Sequence, residues 1–192
     1  LFPYTTLFRS NTVITVISQL GPLPASQVRL PNPQLASFLK EVPTVPEAVS
    51  TGAPRFLAAL RDRNLVRDIS LEDVLADLAT HPLKIEEAEH CFKWWISLAA
   101  DRSYNSALLS KLKEAAMISI SNPDTRIYPL AGYKTFLNPK LISVDLPLPE
   151  HTLPFALTRS FAATDLSRVF QFEELSLLQW VRYLLSDRKS VV

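Results

Sequence analysis

The side chains of this chain that could perform chemistry are few, and their spacing fits no catalytic or metal site. His81 precedes a proline at a predicted helix end, and His90 and Cys91 are neighbours on a helix, so they point to different sides. A metal site needs more ligands at suitable spacing. A nucleophilic Cys91 would need a base and an activating environment, whereas a thiol on an apolar helix flank is typical of a buried structural cysteine. The sequence therefore predicts no catalytic residue, no metal ligand and no enzyme activity within this chain.

Three other groups of residues have simpler explanations than chemistry. Glu86, Glu87 and Glu89 open a predicted helix, where carboxylates stabilise the positive helix end. The three glycines form neither of the common phosphate-binding loops, so no cofactor is expected. Trp94 and Trp95 are adjacent on a helix, and we expect one in the core and one at an interface.

Nucleic-acid binding is the strongest alternative that comes with a specific site. Three helices followed by a hairpin are the order of a winged helix, in which the helix at 105–116 would enter the major groove and the turn at 122–126 would be the wing. The phosphate contacts would then be Lys111, Lys113, Arg126 and Lys134. The helix carries only two lysines beside Glu114, however, and the turn contains Asp124, whereas a phosphate-binding face is more basic. We therefore favour a structural or protein-binding module and expect no nucleic-acid partner.

Both ends of the chain resemble translated sequencing-adapter DNA. Residues 1–10, LFPYTTLFRS, are the translation of a common short-read library adapter, and residues 187–192, DRKSVV, back-translate to the opposite strand of the same oligonucleotide. Two unrelated native termini would hardly encode both strands of one oligonucleotide, and such scars are set aside before fold reasoning. The sequence thus predicts a native part at about 11–186, an internal fragment that lacks its own termini.

Composition limits the class of protein. The chain has 20 Lys+Arg and 19 Asp+Glu, and without the three basic and one acidic residue of its ends it has 17 and 18, a formal charge of −1. The pI near 8.1 is therefore partly an effect of the ends and gives no reason to expect nucleic-acid affinity. No apolar run approaches the roughly 20 residues of a membrane span. A single cysteine is consistent with an intracellular setting, cytoplasmic or nuclear.

The stretch at 11–53 is predicted to be a proline-rich connector. The β-branched run at 11–20 predicts a strand bounded by Gly21-Pro22, and the segment LASFLKEV could form two helical turns. Frequent prolines exclude long helices here. The segment carries many apolar residues and few charges, so we expect it to lie over a neighbouring domain rather than to be disordered.

The stretch at 54–140 is predicted to be a winged-helix-like domain. Pro54 suits a first helical position, and Ser70-Leu-Glu-Asp73 is typical of a capping box. Helical spacing continues over 84–100, with a Glu89–Lys93 ion pair, and over 105–116. The period then changes and predicts strands at 117–121 and 126–130 around a turn. The predicted fold class is α+β and mostly helical, with this three- or four-helix unit and its hairpin.

The stretch at 141–186 is predicted to be the truncated start of a further helical unit. Residues 141–146 favour a strand, and helices are expected at about 164–170 and 176–185. Because the last helix is cut off, we expect it to expose apolar side chains such as Trp180 and Leu184 and to promote aggregation.

Two segments resemble a known kind of protein. The segments LPFALTRSF (153–161) and FEELSLLQWVRYL (172–184) resemble a region of very large fungal proteins, and the resemblance extends back to about Pro54. Those proteins begin with an ATP-binding domain of the GHKL class, shared with histidine kinases and heat-shock chaperones, continue into a long region of unknown function, and are similar in layout to sacsin. The resemblance implies an intracellular multidomain parent that hydrolyses ATP elsewhere. The Asn and Gly-rich lid elements of that class have no counterpart at 11–186, so we expect no ATP binding here. The expected partners are other domains of the same parent chain, and other proteins.

Overall fold

A computed structural model describes residues 14–100, 106–121 and 125–187 of the chain. Helices make up about half of the chain and are joined by small two-stranded sheets. The predicted fold class, α+β and mostly helical, is therefore confirmed. The described residues form two compact units, one from 14–33 with 41–73 and the other from 34–40 with 74–187. The predicted domain boundaries at 53/54 and 140/141 stay predictions.

The first unit contains a β-hairpin and two short helices. Strands β1 (Thr15–Ser18) and β2 (Gly21–Pro24) pair antiparallel, with Ser18 opposite Gly21. Gly21 adopts φ 108° in this tight turn, a value that L side chains rarely tolerate. The strand predicted at 11–20 forms only at 15–18, since residues 19 and 20 belong to the turn, and residues 11–13 lie outside the described residues. The proline-containing return strand was not predicted, because prolines are compatible with a strand only at an unpaired edge.

The proline-rich stretch contributes directly to the core of the first unit. Helix α1 (Pro33–Ala36) lies almost wholly in the second unit. The two helices of the first unit are α2 (Glu47–Gly52) and α3 (Pro54–Asp62), whose start at Pro54 matches the prediction. The core combines residues from the hairpin, the connecting segments and α3. They are Val16, Ala25, Val28, Val45, Leu57, Leu60 and Val66. This shared core groups part of the predicted connector with α3, while connector residues 34–40 belong to the second unit.

The helices and the hairpin predicted after residue 62 are all present. Helices α4 (Leu71–Thr80), α5 (Ile85–Ala99) and α6 (Ser106–Ala115) precede strands β3 (Met117–Ser121) and β4 (Thr125–Pro129). The capping box forms, since Ser70 N–H donates to Asp73 Oδ2 at 2.9 Å and Asp73 N–H donates to Ser70 Oγ at 3.2 Å. The predicted turn between the strands lies outside the described residues at 122–124.

The last part of the chain has little regular structure between short elements. A parallel pair joins β5 (Thr135–Phe136) to β6 (Glu173–Glu174), and helices α7 (Phe155–Thr158) and α8 (Ala163–Arg168) lie between them in sequence. Helix α9 (Leu177–Asp187) follows β6. The helices predicted at 164–170 and 176–185 are confirmed within a few residues.

The strand predicted at 141–146 is wrong. These residues form turns, in which Ile142 N–H donates to Asn138 O at 3.1 Å and Leu146 N–H donates to Ser143 O at 3.3 Å. The Asn138 side chain starts the turn by accepting the Lys140 N–H at 3.0 Å, a local bond that competes with extended structure. The apolar pattern alone could not reveal that no strand in the described part of the chain pairs with this segment.

Helix α5 is the centre of the second unit, as its wide apolar face predicts. Trp95 and Phe92 are fully buried, and Phe92 stacks on Phe170 with ring centroids 4.3 Å apart. On a second side of α5, Trp94 packs against Phe38 at 5.7 Å. Both tryptophans are therefore packed, Trp95 in the core and Trp94 against the segment at 34–40.

Candidate interaction surface

The histidines and the cysteine that could perform chemistry are buried in the fold or lie in different environments. Cys91 has no exposed surface, and burial raises the pKa of its thiol above its usual range. His90 is exposed beside it, whereas His81 is half-buried. Within the described ranges, no group of three or more His, Cys, Asp or Glu side chains could hold a metal ion. That this chain has no enzyme activity stays a prediction.

His81 takes part in a polar cluster that sequence reasoning missed. Its Nδ1 lies 3.7 Å from Asp77 Oδ1 and its Nε2 lies 3.7 Å from Glu87 Oε2. The buried Asp77 carboxylate accepts the backbone N–H of Lys40 at 3.0 Å, and Lys40 Nζ lies 3.4 Å from Glu87. Asp77 and Lys40 are 37 positions apart, so no local pattern signals the contact. The cluster fastens the segment at 34–40 to α4 and α5.

The glutamates that open α5 act as local stabilisers. Glu87 Oε2 accepts the Lys84 N–H at 3.0 Å and so caps the helix. Glu89 pairs with Lys93 Nζ at 2.6 Å, which confirms the predicted ion pair, and this hydrogen bond lowers the pKa of the Glu89 carboxyl. Glu86 is exposed in the first helical turn.

The four predicted phosphate contacts are in unlike environments. Lys111 on α6, Arg126 on β4 and Lys134 before β5 are exposed. Lys113 is half-buried, donates to Phe170 O at 2.9 Å and lies 4.3 Å from the centre of the Phe172 ring. Burial lowers the pKa of the Lys113 amine. Lys113 thus has a role inside the unit, and a nucleic-acid site at these four residues stays only the alternative interpretation of the sequence.

Among the described helices, α9 carries the largest number of exposed large apolar side chains. Four side chains form the α9 face, with exposed fractions of 54% for Leu177, 60% for Leu178, 39% for Val181 and 60% for Leu185. Spacings of three, four and seven residues place them on one side of the helix. Contiguous exposed apolar patches commonly mark protein interaction sites.

A different side of α9 holds the helix to its unit, which corrects the expected exposure of Trp180. Trp180 packs against a cluster that contains Leu137, Ile142 and Leu175, and its indole Nε1–H donates to Pro147 O at 3.0 Å. Leu184 is half-buried. The prediction of an exposed apolar face is confirmed, but its members are the four residues of the α9 face. Trp180 turns inward because its N–H finds a carbonyl partner on the loop.

The start of α9 is fixed by a capping box of its own. Ser176 N–H donates to Gln179 Oε1 at 2.9 Å, and Gln179 N–H donates to Ser176 Oγ at 3.3 Å. This reciprocal pair satisfies two amides at the helix start. Together with the Trp180 anchor, it holds the α9 face in one orientation on the second unit.

One family model matches nearly the whole chain. Its description is "Protein of unknown function (DUF3684)", and the match covers residues 5–192. The chain belongs to this family. The DUF3684 match includes α9 and every other element described above, and it also runs through most of the two ends predicted to be adapter. That interpretation of the ends stays a prediction. No curated protein and no solved structure matches the chain.

The lengths and polarity of the helices also limit membrane insertion. Across the described parts of the DUF3684 chain, every helix is too short or too polar to serve as a membrane span.

Proposed function

We propose that this chain is a non-catalytic structural and protein-interaction segment of a large multidomain fungal protein. Its partners are other domains of the same parent chain, and other proteins, and the ATP-binding GHKL-type domain lies elsewhere in that parent. The resemblance of residues 153–161 and 172–184 supports the parent. The observation that carries the interaction role is the α9 face, where four large apolar side chains are exposed on a firmly anchored helix.

The energetics of the α9 face favour a covering partner. Burying one Leu or Val side chain completely gains about 1.5–3 kcal/mol, so covering four partly exposed ones gains several kcal/mol. The capping box and the Trp180 anchor order the helix beforehand, which lowers the entropic cost of binding. A neighbouring helix of the parent chain with its own apolar stripe would fit such a face.

The experiment uses the chain alone, where the α9 face lacks its partner. Sedimentation velocity should show concentration-dependent self-association of the unmodified chain, because exposed apolar faces then cover one another. The triple variant Leu178→Gln, Val181→Gln, Leu185→Gln should remain monomeric. A matched control changes three other exposed apolar residues of the second unit. It is Leu141→Gln, Val144→Gln, Leu146→Gln, at sites that are 57%, 42% and 41% exposed.

The control variant should associate like the unmodified chain. If both triple variants reduce association equally, general surface hydrophobicity is responsible and the α9 face has no special role. If the unmodified chain is monomeric over the whole concentration range, the proposal for this face fails. Circular dichroism establishes that each variant has kept its helix content.

A winged-helix nucleic-acid module is the second candidate, and one observation favours it. Leu83, between α4 and α5, forms a parallel β-bridge with Ile118 of β3, so a third short segment joins the hairpin. This contact adds to the order of elements, which is α4, α5, α6 and then the hairpin. Fluorescence anisotropy with duplex DNA tests this candidate. Tight binding that weakens steeply with salt and is lost in Lys111→Gln, Arg126→Gln would replace the interaction proposal.

A further inference from the structure

We propose that a cavity in the second unit binds a small molecule with an apolar body and a carboxylate. The cavity has a volume of about 410 Å³ and lies among the ends of β5 and β6, helix α7 and the start of α8. This volume falls within the range of small-molecule sites, about 300–1,000 Å³. The site is separate from the α9 face, and its function would go beyond protein interaction.

The position of the cavity follows from the parallel pairing of two short strands. Thr135 lies opposite Glu173 and Phe136 opposite Glu174, so the carboxyl ends of β5 and β6 meet at one edge. The residues that follow β5, 137–140, and the last residue of β6, Glu174, line the cavity.

The interior of the cavity suits an apolar body. Phe136 and Leu166 are buried side chains of its wall, while Phe155 and Phe161 are only half-buried. The remaining exposure of these two rings gives a ligand aromatic surface to cover. Phe161 also contacts the buried Phe92, whose ring centroid lies 5.8 Å away, and this contact restricts its movement. A ring or short alkyl chain would gain free energy by displacing water from this surface.

The charges at the rim suit a carboxylate. Lys140 and Arg159 line the cavity and are exposed, and neither forms an ion pair with any described residue. The single acid of the lining, Glu174, already accepts a hydrogen bond from Asn138 Nδ2 at 2.9 Å. The rim therefore carries a net positive charge. Guanidinium groups bind carboxylates through two parallel hydrogen bonds, which gives the site a preference for this anion.

The test uses phenylpropionate and its neutral isostere phenylpropionamide, followed by amide NMR shifts of the full chain. Phenylpropionate should bind saturably and shift signals of residues 136–140 and 155–163. The neutral amide should bind several-fold more weakly, because it forms no charge-assisted bond with the rim. The double variant Lys140→Gln, Arg159→Gln should weaken phenylpropionate binding by about threefold to tenfold and leave the affinity for the amide unchanged.

Two further variants make the result decisive. Ala163→Trp places a large ring at the exposed edge of the cavity and should abolish binding of both probes. Arg182→Gln removes an exposed cation on α9 and should leave both affinities unchanged. Equal affinity for the two probes, shifts confined to residues 177–187, or no saturable shift would each overturn the proposal. The triple variant of the α9 face should bind phenylpropionate normally, so this proposal and the interaction proposal can fail separately.

Discussion

At the scale of single residues, the reactivity of the chain's one cysteine measures whether the core around α5 is folded. Cys91 has no exposed surface on α5, and burial raises its pKa, so the reactive thiolate is suppressed in the folded chain. We expect Ellman's reagent to modify Cys91 only as fast as the chain unfolds, and rapidly in concentrated urea. Fast stoichiometric modification of the folded chain at pH 8 would contradict the packing around α5.

Replacing Asp77 should show how much the polar cluster beside His81 contributes to the free energy of unfolding. Asp77→Ala leaves the Lys40 N–H without its acceptor, which should lower the free energy of unfolding by about 1–3 kcal/mol. The matched control is Asp68→Ala, which breaks an exposed ion pair with Arg61 at 2.7 Å and should cost about 0–1 kcal/mol. Urea denaturation measures both. Equal losses would show that the buried contact contributes no more than a surface pair.

The Arg29–Asp73 pair in the first unit predicts a pH dependence of stability. Burial alone would raise the pKa of Asp73, but hydrogen bonds from Arg29 and Ser70 outweigh it and lower that pKa. Both guanidinium bonds are short, Nε to Oδ2 at 2.8 Å and Nη2 to Oδ1 at 2.9 Å. A carboxyl whose pKa is lowered by folding stabilises the chain fully above its unfolded pKa, and this stabilisation is lost as pH falls through the folded pKa.

The test of this linkage compares two arginine variants. Arg29→Gln should lower the urea midpoint at neutral pH and weaken its decline below about pH 4, the usual pKa of an aspartate. Arg61→Gln, which removes an exposed pair, should leave the acid dependence close to that of the unmodified chain. If the urea midpoints of both variants fall with pH as steeply as that of the unmodified chain, the Arg29–Asp73 pair is not the source of the acid dependence.

At the scale of elements, Trp180 should decide whether α9 stays docked. Trp180→Ala removes both the packing against Leu137, Ile142 and Leu175 and the bond to Pro147. Because Trp180 is half-buried, we expect a loss of about 2 kcal/mol, below the roughly 3–5 kcal/mol of a core tryptophan. Hydrogen exchange at residues 177–187 should accelerate. Leu178→Ala on the exposed side should leave exchange nearly unchanged, and equal acceleration in both variants would contradict the assigned orientation.

Elements specified by local chemistry were predictable from the sequence, and those that depend on distant partners were not. Helix α4 follows from Ser70, Asp73 and the apolar spacing after them, all within ten residues. The strand predicted at 141–146 failed because a strand needs a neighbour, and the sequence does not show whether one exists. The two-residue strands β5 and β6 were not predicted for the same reason, because their pairing joins residues 38 positions apart, such as Thr135 and Glu173.

At the scale of the whole molecule, the sequence predicted the mostly helical fold class correctly. It predicted the positions of the side chains with a possible function only in part. The sequence indicated an exposed apolar face on the last helix, but the inward anchoring of Trp180 depends on Pro147, which is 33 positions away. Lys113 looked like a phosphate contact because its bond to Phe170, 57 positions distant, has no local signal. The phenylalanine-lined cavity likewise assembles residues from 136 to 174.

The central claim is that this chain is an internal segment of a larger multidomain protein, in which other domains cover the α9 face. The most direct measurement is the uninterrupted transcript, sequenced as one long molecule across both predicted adapter junctions. We predict a reading frame that continues downstream of Ser186 and encodes a GHKL-type ATP-binding domain upstream of Asn11. A start codon just before Asn11 and a stop codon soon after Ser186 would contradict the claim and make the winged-helix interpretation the leading one.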